Sequence, residues 1–326
     1  MTILVTGAAG FIGAHAAHAL LERGEEVIGF DNLNAYYTPK LKHDRLERLA
    51  AYKSFSFHQV DVSSFEAMMA ALGDRKPTRI LHLAAQAGVR YSIENPAAYV
   101  QANLCGHFAL LELARTLEIE NTVYASSSSI YGGNTKIPFA ETDQTDDPVS
   151  FYGATKKSDE LMAQSYARLH GLSLTGLRFF TVYGPWGRPD MAYWIFAEKI
   201  LKGEPIQVFN HGKMSRDFTF VDDIVAGTLA ALDRPARSLD LPVPHRVYNL
   251  GNDRPEQLMD LIRYTEAGIG REAEKVYKPM QQGDLEKTWA DIDRARAELD
   301  FAPKIGLKDG LEQFADWFRP NWQRYC

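Results

Sequence analysis

The sequence predicts an α/β fold in which a doubly wound parallel sheet is followed by a smaller, mixed C-terminal domain. Three observations carry that prediction. Through the first 125 residues, short β-branched or apolar runs alternate with longer helical patterns, the signature of βαβ units. The first run leads straight into a turn with glycines at positions 7, 10 and 13. After residue 184 the pattern changes, as proline and glycine become frequent and the apolar runs shorten.

The elements follow in order. Strands are predicted at 2–6, 26–30, 55–60, 79–83 and 122–125, separated by helices at 11–23, 40–52, 64–72 and 98–118. A helix at 151–170 precedes a sixth strand at 173–178. Beyond 184, strands at 206–209 and 246–250 mix with helices near 191–202, 221–232, 256–267 and 307–318. Residues 1–184 read as a nucleotide-binding domain and 185–326 mainly as a substrate domain, with some return of the chain to the first. No Gly/Ser tract separates them, so the boundary is not a flexible linker.

Composition narrows the function classes. The chain has 326 residues, a formal net charge of −6, 45% hydrophobic and 24% charged residues, ordinary for a globular protein. No basic domain or polybasic run is present, which argues against nucleic-acid binding by bulk charge and against a charged membrane anchor. Cys105 and Cys326 are too few for a disulfide framework or a cysteine-rich metal site. His15 and His18 share a helix face, but nothing nearby completes a metal site, so no metal is expected. The apolar stretch after Met1 is broken by His15, His18, Glu22 and Arg23, unlike a signal peptide, and the expectation is a cytoplasmic protein.

The turn after the first strand reads Thr6-Gly7-Ala8-Ala9-Gly10-Phe11-Ile12-Gly13. A turn this tight needs residues without Cβ, and a pyrophosphate approaches closely only where side chains are missing. The helix that follows offers free N–H groups and a partial positive charge to the phosphates. Asp31 ends the second predicted strand, where an acidic side chain accepts hydrogen bonds from a ribose and repels a 2′-phosphate. Asp61-Val62, after the third strand, falls beside the adenine. A Rossmann-type site for NAD is the expectation.

The chemistry is expected from Tyr152 and Lys156, four apart at the start of a helix and therefore on one face. A phenol is a poor base at neutral pH unless a cation favours its ionised form. A serine run, Ser126 to Ser129, follows the fifth strand at the carboxyl edge where open α/β sheets bind ligands. Ser127 is placed to bridge a substrate oxygen and the phenol.

At these residues the chain resembles the extended short-chain dehydrogenase/reductase family over essentially its full length. The resemblance implies a catalytic Ser127, Tyr152 and Lys156. It implies that Leu83, Ala84, Ala85, Asn103 and Phe180 line the cofactor together with Gly7, Gly10, Phe11, Ile12, Gly13, Asp31, Asn32, Asp61 and Val62. Within the family, Gln86-Ala87-Gly88-Val89-Arg90-Tyr91-Ser92 and Leu177-Arg178-Phe179-Phe180-Thr181-Val182-Tyr183-Gly184-Pro185-Trp186-Gly187-Arg188-Pro189-Asp190-Met191 are similar to sugar-nucleotide epimerases that act on uronic acids. They imply a substrate site containing Arg90, Ser127, Ser128, Ser129, Thr181, Arg188, Arg216 and Asp284. Arg216 matches an arginine that grips the nucleotide diphosphate, and Gln282-Gly283-Asp284 resembles a loop that closes over it. Arg188 offers a planar guanidinium suited to a sugar carboxylate.

The implied reaction interconverts UDP-glucuronate and UDP-galacturonate by oxidation at carbon 4, rotation of the keto sugar and re-reduction, with NAD regenerated. Relatives that dehydrate hexoses carry Asp-Glu after the catalytic hydroxyl, and decarboxylating relatives carry Glu two positions after it. Here those places hold Ser128 and Ser129. A UDP-glucose 4-epimerase, a UDP-glucuronate decarboxylase and, from a different class, a non-catalytic NAD-binding sensor stay open. The resemblance also implies a homodimer through helices 98–118 and 151–170.

Overall fold

The structure is a computed structural model that describes residues 1–280 and 285–326. In chain order the strands are β1 (Thr2–Thr6), β2 (Glu26–Asp31), β3 (Phe55–Gln59), β4 (Arg79–His82), β5 (Asn121–Ser127), β6 (Leu174–Phe179), β7 (Thr181–Tyr183), β8 (Ile206–Val208), β9 (Ser215–Phe220), β10 (His245–Leu250), β11 (Pro255–Gln257), β12 (Lys275–Tyr277) and β13 (Lys287–Thr288). Seven form one sheet in the order β10-β6-β5-β4-β1-β2-β3. Every pair in it is parallel.

A parallel sheet covered on both faces explains the unbroken apolar run of β1. Ile3, Leu4 and Val5 are all fully buried. Ile3 and Val5 pack on one side with Leu20 of the helix Phe11–Glu22 and Ile224 of the helix Val221–Asp233. Leu4 packs on the other with Met68, Leu110 and Ala163, from the helices Phe65–Leu72, Gly106–Thr116 and Phe151–His170. Each such side chain contributes ~1.5–3 kcal/mol by leaving water. The strand order reverses between β1 and β4, so the loops after them diverge and open a crevice at their carboxyl ends.

The later chain builds a second sheet, in which β9 pairs with β7, β11 and β13, and a small pair of β8 with β12. β10 belongs to the first sheet, beside β6.

Three expectations differ from the structure. The predicted helix at 98–118 is present as one helical run, Pro96–Tyr99 and Gly106–Thr116 joined through an unexpected π-helical turn, Val100–Cys105. Asn95, before Pro96, leaves the helical region and separates this run from the short helix Tyr91–Glu94, and Asn103 lies within the π turn. Second, β9 was not foreseen, because Arg216 and Asp217 interrupt its apolar pattern. Asp217 is buried and accepts from the N–H groups of Asn252 (2.6 Å), Asp253 (3.2 Å) and Ala290 (3.0 Å) and from the Thr219 hydroxyl (3.1 Å). It is the knot that joins three segments. Burial pushes its carboxyl up to about 6 even so. Third, the last helix runs Leu307–Tyr325, past Pro320 and beyond the predicted end.

No helix among the described residues is long and apolar enough to cross a membrane.

Candidate active site

One cleft of about 980 Å³ opens at the carboxyl ends of β1, β4 and β5, and nearly all the residues expected from the sequence line it. The glycine turn forms its floor. Gly7 lies at φ +70°, and a Cβ there would fall 2.7 Å from the backbone nitrogen of Ala84. A Cβ on Gly13 would fall 2.0 Å from the Gly7 carbonyl oxygen. The helix Phe11–Glu22 can therefore press onto the turn only because position 13 has no side chain, and its first N–H groups are left facing the cleft. This is a cradle that side chains would fill, and it fits a dinucleotide pyrophosphate.

Asp31 closes β2 and accepts from the N–H of Ala9 (3.2 Å) and of Leu33 (2.8 Å). Lys42, which the sequence reading missed, is nearly buried on the cleft wall with its Nζ 3.8 Å from Asp31. Asn32 donates to Asp61 at 3.0 Å, and Ser63 adds bonds from its N–H (2.9 Å) and hydroxyl (2.7 Å). Burial raises the Asp61 carboxyl, but those bonds outweigh it and hold it below the usual range. Phe11, Ile12, Val62, Leu83, Ala84 and Ala85 line the same wall.

The candidate reacting groups line one cleft, and a glycine contact helps to place them. The helix Phe151–His170 is capped by Ser150, whose hydroxyl accepts from the Gly153 N–H at 3.0 Å. A Cβ on Gly153 would fall 2.6 Å from the Ser129 carbonyl oxygen. Tyr152 is thereby set against the serine loop, and Ser127, Ser128, Ser129, Tyr152 and Lys156 all line the cleft. Lys156 is nearly buried and donates to the Ala125 carbonyl and to Asp159, both at 3.0 Å. Asp159 is itself buried, and that burial raises its carboxyl to about 6 despite the lysine.

Asn103 departs from expectation. It is not among the residues lining the cleft. Its amide accepts from the Gln86 N–H (2.8 Å) and donates to the Gln86 carbonyl (3.1 Å) and the Thr155 hydroxyl (3.0 Å). These contacts tie the loop after β4 to the helix Phe151–His170.

Behind the serine loop lies a buried polar chain that the sequence reading did not foresee. Ser126 donates to Glu160 (2.6 Å), and Glu160 takes both ends of the Arg178 fork (2.9 and 2.8 Å). Arg178 also donates to the Tyr131 hydroxyl (2.9 Å), which donates to Asn249 (2.6 Å). This joins β5, β6, β10 and the helix Phe151–His170.

At the far end Phe180, Thr181, Arg188 and Arg216 line the cleft with Arg90. The Arg90 guanidinium lies over the Phe209 ring at 5.5 Å, and Arg216 donates to the carbonyls of Ser215 (2.9 Å) and Glu286 (3.2 Å). Arg188 is not the bare cation expected. Its Nε and one Nη hold Asp190 at 3.0 and 2.5 Å, and Tyr36 donates to the same carboxylate at 3.1 Å. Asp284 lies outside the described residues.

The family model described as "NAD dependent epimerase/dehydratase family" matches residues 3–251. An Arabidopsis thaliana protein named UDP-glucuronate 4-epimerase 4 is 47% identical over 329 residues, covering 98% of this chain and 75% of its own. Among solved structures, the UDP-glucuronic acid 4-epimerase from Bacillus cereus in complex with UDP-glucuronic acid and NAD superposes with a TM-score of 0.89 at 33% identity, covering 98% and 99% of the two chains. The UDP-glucose 4-epimerase of Thermotoga maritima with UDP-glucose has a TM-score of 0.87 at 33% identity, covering 99% and 100%.

Proposed function

We propose that this chain, which belongs to the NAD dependent epimerase/dehydratase family, interconverts UDP-glucuronate and UDP-galacturonate by epimerisation at carbon 4. The observation that carries the reading is a single cleft containing both the glycine cradle and the Ser127–Tyr152–Lys156 set.

Gly7, Gly10 and Gly13 with the helix end at Phe11 hold the pyrophosphate of NAD, and Asp31 takes its adenosine ribose. Bound there, NAD supplies a reversible acceptor for the hydrogen and electron pair of carbon 4. Lys156, anchored by Ala125 and Asp159, keeps a positive charge beside Tyr152. Tyr152 takes the proton from the 4-hydroxyl and keeps it until the sugar has turned. Ser127 orients that hydroxyl, and Tyr152 then returns the proton to the new alcohol. Ser128, Ser129, Thr181 and Arg188 hold the sugar carboxylate. Carbon dioxide leaves a β-keto acid only when its carboxylate bond stands perpendicular to the carbonyl, and these donors oppose that orientation. Arg216 grips the nucleotide diphosphate.

The pairing of Arg188 with Asp190 favours a second reading, a 4-epimerase of neutral UDP-hexoses, since it lowers the net charge offered to a sugar acid. Incubation with UDP-glucuronate and, separately, UDP-glucose, followed by product separation, decides between them. UDP-galacturonate is the expected product, with little UDP-pentose. UDP-galactose formed from UDP-glucose while UDP-glucuronate stays unconverted overturns the choice of sugar.

We assign nucleotide binding to residues 1–184 together with β10, and sugar-nucleotide binding mainly to the rest of 185–326. A cytoplasmic location fits a chain with two cysteines. We also assign a homodimer through the helices Gly106–Thr116 and Phe151–His170, where Phe108, Leu161 and Leu169 are 51%, 56% and 70% exposed. Sedimentation at twice the chain mass of 36.6 kDa is expected, and a persistent monomer at micromolar concentration refutes it.

A further inference from the structure

Asp190 sits where three cleft loops converge. Tyr36 belongs to the loop after β2, Gly88 to the loop after β4, and Arg188 and Asp190 to the loop after β7. Both oxygens of Asp190 are engaged, Oδ1 by the Arg188 Nε and Oδ2 by an Arg188 Nη and the Tyr36 hydroxyl. Tyr36 is held in turn by its ring against Tyr91, with centroids 4.7 Å apart. Gly88, at φ +106°, leaves the space that the tether needs. A Cβ there would fall 2.8 Å from the Tyr36 hydroxyl.

Asp190 therefore takes one edge of the guanidinium, and Arg188 lines the cleft with a second Nη that makes no hydrogen bond among the described residues. The two opposite charges nearly cancel at a distance. A substrate carboxylate meets hydrogen-bond donors with little net positive charge behind them. A bidentate grip by an unopposed guanidinium in a cleft with little water would be strong. Such a grip would have to be released each time the keto sugar turned.

We propose that Asp190 is a specificity-determining residue, a resident carboxylate that competes with the sugar acid for Arg188 and limits how tightly an acidic sugar is held. The proposal rests on the reading of the site as one for UDP-linked uronic acids. It makes Asp190 a determinant of the ratio between acidic and neutral sugars, and of release during turnover, without any part in proton transfer.

The test measures dissociation constants of UDP-glucuronate and UDP-glucose on the NAD-loaded protein by calorimetry, for wild type, Asp190→Asn and Asp190→Glu. Asp190→Asn keeps the shape and removes the charge. Its UDP-glucuronate affinity is expected to rise on the order of tenfold, with UDP-glucose changed less than about twofold. KM for UDP-glucuronate and kcat should fall together. Asp190→Glu restores the charge and should return the affinity ratio to within about twofold of wild type. Weaker or unchanged UDP-glucuronate binding in Asp190→Asn, or equal shifts for both sugars, overturns the proposal. A wild-type protein that neither binds nor converts UDP-glucuronate instead overturns the functional reading beneath it.

Discussion

Tyr152→Phe is expected to lower the epimerisation rate by ~10²–10⁴-fold while the protein keeps its fold and its NAD. The phenyl ring retains its edge contact with Tyr99, whose centroid is 5.9 Å away. The helix stays in register because the Ser150 cap and the Gly153 contact with Ser129 involve no atom of the hydroxyl. What is lost is the hydroxyl proposed to take and return the proton, and neither Ser127 nor the buried Lys156 is expected to replace it. Lys156 is committed to Ala125 and Asp159. The checks are steady-state conversion of UDP-glucuronate and chromatography of cofactor released from denatured protein. A variant keeping more than about a tenth of the activity would remove Tyr152 from the proposed role. A variant that lost NAD would show that the phenol holds cofactor instead.

The second large effect is on stability. Glu160→Gln is expected to cost about 3 kcal/mol, the lower end of the range for removing one partner of a buried ion pair. Arg178 and Glu160 are 6% and 7% exposed, so water cannot take over the solvation of the guanidinium left behind. Burial opposes the Arg178 charge, and the bonds from Glu160 more than offset that, holding the guanidinium above its usual range. The amide keeps the shape but no longer balances the charge, and its NH₂ group cannot accept from Arg178 or Ser126. Urea unfolding followed by far-ultraviolet circular dichroism measures the loss. A change below about 0.5 kcal/mol would mean that Arg178 finds its support elsewhere. The effect matters for the site because Ser126 precedes Ser127, and Glu160 lies one turn beyond Lys156 on the same helix.

Much of the fold was legible in the sequence. Residues 2–6, 26–30 and 79–83 were expected as strands, and the structure has β1, β2 and β4 there. Strands covered on both faces are apolar without interruption, and that pattern is local. β9 was illegible because its polar residues are satisfied by distant backbone, Asp217 by N–H groups of residues 252, 253 and 290. The π turn inside the helix expected at 98–118 was illegible for a related reason, since Asn103 bonds to Gln86 and Thr155, which lie elsewhere in the chain.

The sequence by itself determined the parts whose physics is short-ranged. Glycines three apart allow a helix to press on its own turn, an acid at the end of β2 faces that turn, and Tyr152 and Lys156 share a face because a helix repeats every 3.6 residues. The tertiary structure decided the electrostatics. Only folding brought Tyr36 against Asp190, Glu160 against Arg178, and Asn103 against Gln86 and Thr155. Charges act through space over a few ångströms, and which charges come that close is settled by how loops from separate strands converge, a distance that spacing along the chain does not encode.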